Sequence, residues 1–231
     1  MNILAVGPHP DDIEFGCAAV LIQEAAAGHR INLVVCSKGE ASTSGTPEER
    51  TEEARHAAKV VGASLDFLDL GGDCHIEYNV ENRLVMAAQI RKFQPQVVLA
   101  PHPDENQHPD HAVVGRLVRD AARLARYGRL GDFQDLPPHA IGQLYYYSIT
   151  QPFNDRPPDV VIDVTGVREK WEAAMACHAT QMRTRSYADL ILAKARTLGA
   201  SIGVEYAVGL WVNDPLRLGS LADISLSSRH F

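Results

Sequence analysis

The chain has 231 residues, 45% of them hydrophobic and 22% charged, with a formal net charge of −7. That is ample apolar material for one domain, read here as residues 1–231. The acidic balance argues against a nucleic-acid or anionic-membrane partner, and no apolar run approaches the ~20 residues a bilayer span needs.

Met1–Gly7 lacks a basic segment followed by a long apolar stretch, so it does not read as a secretory leader. Cys17, Cys36, Cys74 and Cys177 are far apart and form no C-x-x-C pair. They read as reduced thiols of a cytoplasmic protein, which leaves His and carboxylate to hold any metal.

In chain order, residues 2–7 form a short apolar run, expected as a buried strand. Residues 13–27 read as a helix ending near Gly28, and 30–37 as a second strand. Thr46-Pro47-Glu48-Glu49 carries the marks of a helix start: Thr as cap, Pro in the first turn, Glu three residues after the cap. That helix is expected to run to Gly62, and a third strand fits 65–70. Asn79 caps a helix to about Phe93, a fourth strand covers 96–100, and a helix follows over 109–127. This alternation predicts an α/β fold: a Rossmann-like, doubly wound, mostly parallel sheet with helices on both faces. The second half is less regular, with strands at 144–149 and 160–164 and helices at 167–182 and 187–198. Residues 134–138 and 151–158 read as loops, and no linker or internal repeat is visible.

Three His-Pro-Asp copies stand out: His9-Pro10-Asp11-Asp12, His102-Pro103-Asp104-Glu105 and His108-Pro109-Asp110-His111. One copy alone is a common loop or cap sequence. Here the first follows strand one and the others follow strand four. In a sheet of order 3-2-1-4-5 those strands are neighbours whose connections diverge, opening a crevice at the carboxyl edge. His9 and Asp12 are three apart, as are His108 and His111, so each pair shares one face of a helical turn. Together they offer more than the three N/O ligands of a catalytic zinc, with carboxylate and imidazole to spare for acid–base work. Spacing leaves open which three would bind metal.

Pro8-His9-Pro10-Asp11-Asp12-Ile13-Glu14, with His108-Pro109-Asp110-His111, resembles the PIG-L/LmbE-like family of zinc N-deacetylases. The likeness extends to Lys38-Gly39-Glu40, Glu49-Arg50, Glu53-Ala54 and His178-Ala179-Thr180-Gln181. Leu144–Tyr147, Val161–Val164 and Gly203–Ala207 are most similar to the bacterial branch that deacetylates N-acetylglucosaminyl-malate for bacillithiol synthesis. The resemblance implies His9, Asp12 and His111 as metal ligands, Asp11 as general base, and His108 as acid or oxyanion stabiliser oriented by Asp110. Zinc is the implied cofactor, with another divalent metal such as Fe2+ left open. The implied partner is a small N-acetyl sugar, with a homo-oligomer left open. Glu40, Arg50, His178, Arg183 and Arg185 are candidate substrate-binding residues, the arginines for an anionic aglycone. Lys38 and His178 depart from the usual family residues at positions expected to face the substrate.

Three rival readings are a metal-dependent phosphoesterase, a nucleotide-dependent oxidoreductase and a non-catalytic sugar-binding module. The first lacks placeable bridging carboxylates. The second fails because Gly7-Pro8-His9-Pro10 stands where G-x-G-x-x-G would be. The third sits poorly with an intact set of His and Asp. Among deacetylases, one acting on chitobiose-type oligosaccharides is the alternative.

Overall fold

The structure is a computed structural model describing residues 1–104, 107–133, 135–149, 156–183, 185–220 and 223. Glu105, Gln134 and residues 151–155 of the expected motif and loops lie outside the described residues.

Among the described residues seven strands form one sheet: β1 (Asn2–Gly7), β2 (Arg30–Val35), β3 (Ser64–Phe67), β4 (Val97–Pro101), β5 (Gln143–Tyr147), β6 (Val160–Asp163) and β7 (Ala207–Val212). Their order is β3-β2-β1-β4-β5-β7-β6. The first five pair in parallel, while β7 is antiparallel to both β5 and β6. β1 is apolar and buried from Ile3 to Val6 because both its faces are covered. Ile3 and Ala5 enter one core with Phe15, Leu21, Trp171 and Met175, whereas Leu4 and Val6 enter the other with Met86, Val98 and Leu117.

Those layers are supplied, among the described residues, by seven α-helices: α1 (Asp12–Gly16), α2 (Ala18–Ala26), α3 (Pro47–Val61), α4 (Val80–Phe93), α5 (Pro109–Ala125), α6 (Arg168–Ala176) and α7 (Tyr187–Ile202). α3 begins as expected. Glu49 N donates to Thr46 Oγ1 at 3.2 Å and Thr46 N donates back to Glu49 Oε2 at 2.8 Å, and Gly62 ends the helix in the left-handed region.

Several elements differ from expectation, β3 among them, which ends at Phe67 rather than at 70. The helix read over 13–27 is two helices, because Cys17 leaves helical geometry at φ −147°, ψ 3°. The helix expected over 167–182 stops at Ala176. Beyond it, Thr180 is tied to α3, giving its N–H and its hydroxyl to the Glu53 carboxylate at 2.8 and 2.6 Å. α7 runs four residues beyond 198, to Ile202, and ends at left-handed Gly203. β7 has no counterpart among the expected strands: its short apolar run is broken by Gly209, and periodicity alone does not tell such a run from buried helix.

Two close approaches place the loops that matter. Tyr147, fully buried on β5, donates its hydroxyl to Val6 O at 2.8 Å, and its ring lies where a Cβ on Gly16 would be. Gly115 lets α5 settle against the end of β4, since a Cβ there would collide with the Pro101 carbonyl. Both glycines let a helix pack close against the sheet near its carboxyl edge.

Candidate active site

The β1–α1 turn carries His9, Asp11 and Asp12, and the N-terminus of α5 carries His108, Asp110 and His111. Because β1 and β4 are adjacent and parallel, the two turns meet over the sheet edge. A third loop, following β3, adds Asp73 and Cys74. Asp11 sits at φ 113°, a strained backbone for a non-glycine residue and a kind that concentrates at functional sites.

The contacts form a chain. His9 Nδ1 is 3.0 Å from Asp12 Oδ2, and the other carboxylate oxygen of Asp12 is 3.2 Å from His111 Nε2. On its far side, His9 Nε2 is 3.1 Å from both Asp110 Oδ2 and Asp73 Oδ1. Asp110 was expected to orient His108, yet it lies 3.9 Å from that ring, so its closer partner is His9. It is held there by the Cys74 N–H at 2.9 Å. His108 caps α5, its Nδ1 accepting from Asp110 N at 3.3 Å.

The electrostatics of the cluster follow from its carboxylates. Burial works against a charged His9 ring, but the charge of Asp12 and hydrogen bonds to Asp110, Asp12 and Asp73 push it up to about 12. His9 in turn holds Asp73 down to about 2 by hydrogen bonding, against the pull of burial. Burial would raise Asp12 too, but His111 and His9 keep it well below the usual carboxylate range. Three carboxylates thus favour positive charge at this imidazole. A divalent ion could take the place of that proton, with the ring neutral and a lone pair available. His9, His108 and His111 offer nitrogen atoms within 4.8 Å of one another, and His9, Asp73, His108 and Asp110 form a second such group of nitrogen and carboxylate oxygen atoms. The cluster can therefore bind a metal ion.

Asp11 differs from its neighbour. Burial and the Asp12 charge push it up to about 7, with Arg50, His178 and His9 opposing. A carboxylate poised there suits proton transfer near neutral pH. It lines a pocket of about 340 Å³ with His9, Asp12, His108, His111, Gln181 and Tyr187.

The residues expected to grip substrate are placed otherwise. Arg50 borders the pocket but is only 4% exposed and committed to the protein: it donates to Pro10 O at 2.7 Å and Gly39 O at 3.3 Å, and lies 3.4 Å from Asp11 Oδ2. Glu40 ties two loops together, accepting from Lys38 N at 3.0 Å and Asp73 N at 2.9 Å. His178 is fully buried behind the pocket, its Nε2 3.3 Å from Glu14 Oε2. Burial disfavours its charged form, but Glu14 outweighs that and raises the ring above its ordinary value. Neither Glu40, His178 nor Lys38 is among the residues that line the pocket. Arg183 and Arg185 are exposed, between the pocket residues Gln181 and Tyr187, and Arg185 lies over the Tyr187 ring.

The sequence pattern of the PIG-L family, described as GlcNAc-PI de-N-acetylase, matches residues 4–122, just over half of the chain and both His-Pro-Asp turns of the cluster. The chain belongs to the PIG-L family of N-deacetylases. A 1D-myo-inositol 2-acetamido-2-deoxy-alpha-D-glucopyranoside deacetylase of Catenulispora acidiphila is 27% identical, over 63% of this chain and 59% of the relative. A 4-oxalmesaconate hydratase of Pseudomonas putida is 26% identical, over 80% of this chain and 76% of the relative. Among solved structures, the conserved protein TT1542 of Thermus thermophilus is 29% identical with a TM-score of 0.82, covering 94% of this chain and 96% of that one. The PIG-L chain thus shares its fold with a solved relative over 94% of its length, not only its motifs.

Two residues of this PIG-L site escape sequence reasoning. Asp73 and Cys74 follow Gly71-Gly72, which reads as a plain turn; both glycines and Cys74 take positive φ, folding the loop back toward His9 and His108. The available signal was position: the loop leaves the same sheet edge as the His-Pro-Asp turns.

Proposed function

We propose that this chain is a cytoplasmic, zinc-dependent deacetylase of a single domain. Its substrate would be a small molecule carrying N-acetylglucosamine, with N-acetylglucosaminyl-malate as the compound named. The reading is carried by one observation: the buried chain His9–Asp12–His111, with Asp11 beside it on strained backbone facing the pocket. His9, Asp12 and His111 would hold the metal, and Asp110 would fix the His9 ring through its other nitrogen, the usual partnership of a metal-bound imidazole. Bound zinc supplies a Lewis acid for the amide carbonyl and eases deprotonation of water.

The remaining chemistry belongs to the chain. Asp11 takes the proton from the attacking water, and its raised affinity for protons lets it hold that proton until the C–N bond breaks. His108, half-buried at the pocket, stabilises the carbonyl oxygen as it gains negative charge. The amine leaves with a proton, and the products are acetate and a free amino sugar. Arg183 and Arg185, at the rim, are the cations for an anionic aglycone.

A second reading is favoured by the relative named as a hydratase: addition of water to an unsaturated dicarboxylate by the same base. The test combines metal analysis with acetate release from N-acetylglucosaminyl-malate, N-acetylglucosamine and diacetylchitobiose, alongside hydration of an unsaturated dicarboxylate. Release from the malate conjugate well above the others supports the proposal. Hydration without acetate release sinks it. Equal release from all three sugars leaves the deacetylase and removes the malate.

A further inference from the structure

We infer that the cavity between the second half of α5 and the chain following β7 binds a small organic polyphosphate, with a nucleoside diphosphate as the class that fits. The cavity holds about 580 Å³, within the usual range for sites of small organic ligands. It lies at the amino end of β5, against residues 142–145, whereas the His-Pro-Asp turns meet at the carboxyl edge. Among the described residues none lines both this cavity and the pocket of Asp11.

Its charge is one-sided. Arg119, Arg123 and Arg126 are four and three residues apart, so they share one face of α5, opposite the core residues Leu117 and Ala121. Arg217, from the chain after β7, lines the same cavity. Arg119 is paired with Asp120 at 3.0 Å, but among the described residues Arg123, Arg126 and Arg217 have no ion pair. Asp214 is the one carboxylate among the described residues of the lining, and it accepts from Asn213 Nδ2 at 2.8 Å. Nor are these guanidiniums spent on the end of α5. The buried Arg91 already donates to Ala125 O at 2.9 Å and to Tyr127 O at 2.7 Å, which answers the negative end of the helix dipole.

Three unpaired cations gathered on one cavity repel one another, in a chain whose net charge is −7, and a bound anion relieves that repulsion. A guanidinium meets phosphate oxygens with two parallel N–H bonds, and three of them call for more charge than one carboxylate brings. The other walls are apolar: Ala122, Ile141, Pro215, Leu216 and Leu218, the two leucines exposed. Apolar surface beside a cationic wall suits a phosphate group joined to a flat ring, on which an arginine can also stack. The segment that carries Arg217 is pinned to β5 at its start, where Asn213 N donates to Leu144 O at 3.1 Å and Tyr146 donates its hydroxyl to Asn213 Oδ1 at 2.7 Å.

The experiment uses the metal-loaded enzyme without added magnesium. Calorimetric titration with ADP, adenosine, pyrophosphate and citrate compares wild type with Arg123→Gln, Arg126→Gln and Arg129→Gln, and acetate release is followed alongside. Arg129 is exposed nearby and does not line the cavity, so its loss removes one charge without the contact. Wild type binds one ADP per chain, more tightly than pyrophosphate or citrate, with no measurable binding of adenosine and with affinity falling as salt rises. Arg123→Gln and Arg126→Gln each bind ADP at least about tenfold more weakly, as loss of a charge-assisted bond implies, and keep their rate of acetate release. Arg129→Gln stays within about twofold of wild type. Absence of saturable ADP binding overturns the site, and equal weakening in Arg129→Gln overturns it in favour of diffuse attraction. ADP that binds all the variants alike and blocks acetate release sits on the catalytic metal, which also overturns it. Citrate binding as tightly as ADP overturns the phosphate class.

Discussion

Replacing Arg50 by Met separates a structural guanidinium from a substrate clamp. The side chain is almost wholly buried and reaches Pro10 O, Gly39 O and Asp11 Oδ2. Met fills similar space and removes every donor. Two carbonyls lose a charged partner, at 2.7 and 3.3 Å, and a buried carboxylate loses its counter-charge at 3.4 Å. Charge-assisted bonds contribute about 1.5–3 kcal/mol each, and two of these three are long, so the loss should be about 3 kcal/mol. For a chain of this length that lowers Tm by about 6–12 °C, read by calorimetry on metal-loaded protein. Arg50 also opposes the rise of Asp11 toward about 7. Without it Asp11 binds its proton at higher pH, the base is lost earlier on acidification, and the acidic limb of kcat/KM moves upward. Gly39→Ala should act alike, since a Cβ there runs into the same guanidinium and Gly39 has φ 72°. An unchanged Tm, with loss confined to the anionic substrate, would refute this account and restore the clamp.

Other outcomes follow from the same geometry. His111→Ala should lose metal by orders of magnitude in affinity, seen by elemental analysis after dialysis; full metal content would remove His111 from the ligand set. Asp11→Asn should keep its metal and lose about 10²–10⁴ in turnover, because the amide cannot accept the proton. Metal lost in that variant and retained in Asp12→Asn would reverse the two roles. Gly16→Ala should destabilise by about 1–3 kcal/mol through overpacking against Tyr147, and a neutral melt would show that α1 can shift freely.

The parts that were legible in the sequence are those fixed by local chemistry. Thr46, Pro47 and Glu49 specify a helix start within four residues, and the structure has it. The His-Pro-Asp turns were placed by alternation of elements, which sets the strand order and hence which turns meet. What was not legible depends on side-chain direction and on distant partners. A resemblance puts Glu40, Arg50 and His178 near the pocket, but only packing shows that Glu40 clamps a loop, Arg50 turns inward and His178 lies behind the wall. Asp73 was hidden because its approach to His9 is made by glycine backbone rather than by a helical repeat.

The meeting of β1 with β4 has a consequence during synthesis. His9 and Asp110 touch across 101 positions of chain, so the first half of the cluster leaves the ribosome long before the second exists. A nascent chain stopped before α5 has two of its three proposed ligands, too few for a tight site. The cation would therefore enter late and act as a staple between strands that are neighbours in space only. It would favour the paired state by mass action, in proportion to the logarithm of its concentration over Kd. Hydrogen exchange should report this as slower opening of β1 and β4 on metal addition, with β6 and β7 little changed; equal protection everywhere would mean the metal joins a sheet that no longer needs it.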